Sequence, residues 1–64
     1  MTTPELKAKW DAMTVAERAA VIRSDVSMRD KRWDGLVARM SNSQWDGLNV
    51  IQQEAVDYLM NRGK

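Results

Sequence analysis

The sequence predicts an all-α protein, a compact bundle of four to five short helices. Three observations carry that prediction. Apolar residues recur at three- and four-residue spacings along the chain. Capping residues followed three places later by Glu or Gln recur where helices would begin. No segment alternates apolar and polar residues as a half-buried strand does.

The first helix opens at Thr3-Pro4, a cap followed by proline at the first helical position, where its missing N–H does no harm. Leu6, Trp10 and Met13 follow at i, i+4 and i+7. Thr14 with Glu17 forms a capping box that starts the second helix, whose stripe is Val15, Ala19 and Ile22. Ser24-Asp25-Val26-Ser27 breaks it, and Ser27 is expected to cap a third helix carrying Trp33, Leu36, Val37 and Met40. Ser41 with Gln44 reads as another capping box, and Met40 with Trp45 has the spacing of a hydrophobic staple. A break near Ser41 and a short fourth helix ending near Leu48 follow from this. Asn49 with Gln52 starts the last helix, with Ile51, Ala55, Tyr58 and Leu59 on one face, Val56 and Met60 widening it, and Gly63 as its stop. The expected core is Leu6, Trp10, Met13, Val15, Ile22, Trp33, Leu36, Met40, Trp45, Leu48, Ile51, Ala55 and Leu59.

Sixty-four residues imply one helical domain, 1–64. Opening on Met1 and closing on Arg62-Gly63-Lys64, the chain is expected to be one complete small reading frame. Hydrophobic burial in so short a chain is worth about 90–100 kcal/mol. Ordering the chain costs about the same, at about 1.5 kcal/mol per residue. With no cysteine there is no disulfide or thiolate ligand, and with no histidine the commonest metal ligand and neutral-pH base are missing. No apolar run reaches membrane-spanning length and no signal segment opens the chain, so a cytoplasmic protein is expected. Ten basic and nine acidic residues, mixed along the chain, exclude a strongly basic nucleic-acid footprint.

Residues 10–21 and 45–56 nearly repeat: Trp10/Trp45, Asp11/Asp46, Val15/Val50, Ala20/Ala55 and Val21/Val56 are identical pairs, and Met13/Leu48, Thr14/Asn49 and Glu17/Gln52 are near-equivalents. Each copy reads as a helix corner, a Trp plug followed by a cap and a stripe. Two readings are open: common corner grammar, or an αα-hairpin used twice with approximate internal symmetry. Asp11 and Asp46, near helix ends that disfavour negative charge, are expected to reach an arginine or the N–H groups of the next helix. The third WD, in Arg32-Trp33-Asp34-Gly35-Leu36, lacks a following cap, so Trp33 is expected in the core in mid-helix.

No phosphate loop, serine elbow or metal-spaced cluster occurs, and carboxylate pairs such as Asp30/Asp34 sit on a polar face. The protein is therefore expected not to be an enzyme, and to need no cofactor, metal or small-molecule substrate. Met28, Arg32, Gly35 and Arg39 follow i, i+4, i+7 and i+11 on the third helix, with Arg29 near the start of its apolar stripe. Glycine inside a helix wants a reason such as close approach of another chain, and Met and Arg are enriched at interfaces. The reading is a small non-enzymatic regulator or inhibitor that binds another protein through residues 28–39. Gly35 and the marginal burial favour a homodimer over a monomer. The alternative is a DNA-binding helix-turn-helix over residues 14–40, with Arg29, Lys31 and Arg32 at the start of its recognition helix; Lys31 occupies a place where that pattern wants an apolar residue.

Overall fold

The computed structural model describes residues 4–62. Four α-helices follow one another: α1 (Pro4–Ala12), α2 (Val15–Arg23), α3 (Asp34–Ser41) and α4 (Val50–Asn61). Short 3-10 turns occupy Val26–Arg29, Lys31–Trp33 and Trp45–Gly47, and no strand occurs among the described residues. The expected Thr3 cap and Gly63 stop lie outside the described residues. α2 is the central element, packing on α3, on α4 and on the first 3-10 turn.

The doubled stretch is architecture, and its hydrogen bonds repeat with it. Met13 N–H donates to the Trp10 carbonyl at 3.1 Å, and Leu48 N–H to the Trp45 carbonyl at 3.1 Å. Both capping boxes are reciprocal, Thr14 with Glu17 and Asn49 with Gln52. One turn into each helix, a long polar side chain then reaches back. Arg18 Nε donates to the Trp10 carbonyl at 2.9 Å, and Gln53 Nε2 donates to the Trp45 carbonyl at 3.0 Å. The corners also touch, with the buried rings of Trp10 and Trp45 meeting edge to face at 6.4 Å between centroids.

Asp11 lies at the end of α1, and its Oδ1 accepts from Trp45 N–H at 2.8 Å, satisfying the first donor of a 3-10 turn 34 residues away. Lys7 Nζ bridges the two aspartates of the repeat, 2.8 Å from Asp46 and 3.7 Å from Asp11. The sequence placed a Ser41–Gln44 capping box at that turn. Instead Ser41 is buried inside the last turn of α3, and Gln44 makes no side-chain cap bond.

Arg18 goes further than its counterpart Gln53. It is 7% exposed, and its guanidinium is held by backbone carbonyls. Besides Trp10, Nη2 donates to Asp11 at 3.2 Å and Nη1 to Ser41 at 3.1 Å and Ser43 at 3.4 Å. These oxygens belong to the C-terminal ends of α1 and α3, where unpaired carbonyls concentrate partial negative charge. Its carbon Cζ also lies 5.5 Å from the Trp10 ring centroid.

The core consists of Leu6, Trp10, Ile22, Val37, Met40, Trp45, Leu48 and Val56. Met13, Leu36 and Leu59 are half-buried rather than enclosed. Four residues expected inside are exposed: Val15, Trp33, Ile51 and Ala55. Trp33 is not in mid-helix, because α3 begins after it. α4 turns Val56 to the centre, which at 100° per residue leaves Ile51 about 140° away.

Candidate interaction surface

The expected helix over residues 28–39 does not form as one element. Asp25 Oδ1 accepts from Ser27 N–H at 3.1 Å, and Asp30 Oδ1 accepts from Arg32 N–H at 3.0 Å. Each carboxylate offers the backbone a local partner that competes with the helical one, and Asp30 itself is extended. The chain therefore crosses from α2 to α3 as two capped 3-10 turns.

That change disperses the residues proposed for binding. Met28, on the first turn, is half-buried. Arg29 folds back, its Nε donating to the Arg23 carbonyl at 2.9 Å. Arg32 pairs with Asp30 at 3.3 Å and lies over the Trp33 ring at 5.9 Å. Gly35 is in the first turn of α3, where an added Cβ would meet nothing within 4 Å. Close approach of another helix within this fold is therefore not its reason. Arg39 is exposed in the last turn of α3. The spacing i, i+4, i+7, i+11 thus has no single α-helix to act through, and only Gly35 and Arg39 share one.

The helix-turn-helix geometry is corrected for the same cause. Residues 24–33 separate α2 from α3, against the three or four of that motif. Arg29, Lys31 and Arg32 all lie on this connection, and Asp34, paired with Arg23 at 2.8 Å, occupies the start of α3.

A surface of a different kind lies between the first 3-10 turn, α3 and α4. It is a groove of about 200 Å³ with Ile22 and Val56 beneath it. Met28, Leu36 and Met40 form one side, and Ile51, Ala55 and Leu59 the other. Asp25 and Gln52 are its polar members. The apolar surface continues outward along α4, where Ile51 is 79% exposed and Tyr58 67%. Three of the residues read as third-helix positions, Met28, Leu36 and Met40, do line this groove. Its α4 side escaped the sequence reading because Ile51, Ala55 and Tyr58 share a stripe that looks like a core face. The usable signal is excess. Measured around α4 from Val56, Leu59 lies about 60° away, Ala55 100°, Ile51 140° and Tyr58 160° on one side, with Met60 about 40° on the other. No single neighbouring layer covers so wide an arc.

Glu17 is held below its ordinary value by the Thr14 backbone N–H that its carboxylate accepts. Lys7 is raised, chiefly by its hydrogen bond to Asp46. Among the described residues no His, Cys, Asp and Glu cluster is spaced to hold a metal ion, and no helix is long and apolar enough to cross a membrane. No protein-family model, curated protein or solved structure matches this chain.

Proposed function

We propose that this chain is a small non-enzymatic protein-binding module, acting as a regulator or inhibitor by masking an apolar segment of its target. The observation that carries the reading is the groove between α3 and α4, together with the bare apolar arc of α4 beside it. Contiguous apolar surface left open on a small folded protein marks an interaction site. The groove's volume suits one large anchoring side chain, the usual centre of a protein interface. Asp25 is the one titratable side chain lining it, which supports docking over acid–base chemistry.

The reading moves the site from the 28–39 helix to the groove, keeping Met28 and adding Leu36, Met40, Ile51, Ala55 and Leu59. It is tested by capture from a nuclease-treated lysate with the native chain and with Ile51→Glu. Ile51 is exposed, so the charge leaves the helical spectrum unchanged. Proteins retained by the native chain should be lost with the variant. Equal retention by both would remove the groove from the function, and capture abolished by nuclease would favour the nucleic-acid alternative.

A further inference from the structure

The groove raises the question of its occupant, and α4 answers with features of its own. The concave part of the face, between Met40 and Leu59, adjoins the convex part, the projecting side chains of Ile51 and Tyr58. Pocket and plug on one face are what a two-fold interface requires, because the same patch must meet itself. Ile51 and Tyr58, 79% and 67% exposed, are the large apolar side chains of this face, and a standard interface covers ~800 Å² per partner. The chain is also in the size range where one core is marginal and association supplies further burial.

The charges on α4 fix the direction. Glu54 and Arg62 lie one turn before and one turn after Tyr58, and Arg62 already extends over the Tyr58 ring, 6.0 Å from its centroid. Two α4 helices laid parallel would set like charge beside like. Laid antiparallel about the Ala55–Tyr58 turn, each Tyr58 falls over the small Ala55 of the other copy. Glu54 and the other copy's Arg62 are then offset by three residues, about 4.5 Å along the axis, within an arginine's reach.

We infer that the occupant of the groove is a second copy of this chain, docked through an antiparallel two-fold α4–α4 contact centred between Ala55 and Tyr58. This rests on reading the groove as a docking surface: the second copy covers it until a target segment displaces it. Each copy covers the other's Ile51 and Tyr58, and two Glu54–Arg62 pairs form at the rim.

Light scattering and sedimentation equilibrium on the intact chain test the inference, with covalent trapping as an independent measure. The native chain should be a dimer, and Tyr58→Glu, next to the axis and close to the other copy's Glu54, should weaken it about 30-fold or more, the loss typical of a central interface residue. Because the chain has no cysteine, Ala55→Cys supplies a unique thiol near the proposed axis. Mild oxidation should cross-link Ala55→Cys and not Ala16→Cys, a control on the exposed start of α2. A native chain that stays monomeric to millimolar concentration overturns the second copy as occupant. A dimer equally stable in Tyr58→Glu, or cross-linking equal at both thiols, also overturns it by placing the contact elsewhere. The docking reading is judged separately, by whether Ile51→Glu loses captured proteins.

Discussion

Replacing Arg18 by methionine keeps the length and apolar stem of the side chain and removes the guanidinium that joins the ends of α1 and α3. The four carbonyls it serves do not suffer equally. Trp10 still accepts from Met13 N–H, and Ser43 still accepts from the Trp10 indole at 2.9 Å. Asp11 is half-buried, close enough to the surface for water to replace Arg18. Ser41 is 1% exposed, so its carbonyl is stranded. One stranded buried acceptor costs about 1–3 kcal/mol, and each lost bond to a charged group is worth about 1.5–3 kcal/mol. Relief from burying a cation returns part of that. The expected net loss is about 2–4 kcal/mol, a large fraction of the roughly 3–10 kcal/mol stability of a chain this size. Thermal unfolding followed by circular dichroism should show the midpoint falling by about 10–25 °C. The loss should persist in 1 M salt, because the contacts are buried and no carboxylate takes part. A midpoint within 4 °C of the native value would refute the account of Arg18 as the clasp between the two helix ends.

Two further outcomes follow from local geometry. Glu17 is depressed in the folded chain, so its stabilisation is present above its ordinary value of 4.5 and is lost as pH falls through the lower folded value. Acid unfolding of Glu17→Gln should therefore be less steep below pH 4.5 than that of the native chain, and parallel curves would deny the carboxylate this role. Gly35 sits in a helix with open space around it, so Gly35→Ala should raise stability by about 0.5–1 kcal/mol in urea unfolding without altering capture; lost capture would restore Gly35 to the binding surface.

The helical class and both corners were legible because capping boxes are local: four consecutive residues contain the whole interaction. The Trp plugs were legible for the same reason. Long-range partners were not. Asp11 caps a turn 34 positions away, and nothing in its neighbours points to Trp45. Arg18 was invisible because an arginine on a helix normally faces water, and its acceptors are carbonyls, which carry no sequence identity. The stretch from 25 to 33 misled through a local effect: Asp25 and Asp30 cap turns that a periodicity count takes for helix. Of the predicted binding residues, Met28 reaches the groove, Gly35 and Arg39 keep their spacing on α3 away from it, and Arg29 and Arg32 owed their alignment to a helix that is absent.

The repeat itself separates architecture from function along α4. Positions that build a corner are alike in both copies: the Trp plug, the cap pair and the reaching side chain at Arg18 or Gln53. Ile51 stands where the first copy has Ala16, and Tyr58 stands where it has Arg23. The first corner folds with an alanine and an arginine at those places, so the corner does not require an exposed isoleucine and tyrosine. Exposed apolar side chains of that size cost solubility and, in α4, add little to the core. Their presence is explained when another surface covers them, and the groove they border is where that surface would seat. The doubled stretch thus supports the proposed binding face by its departures from itself.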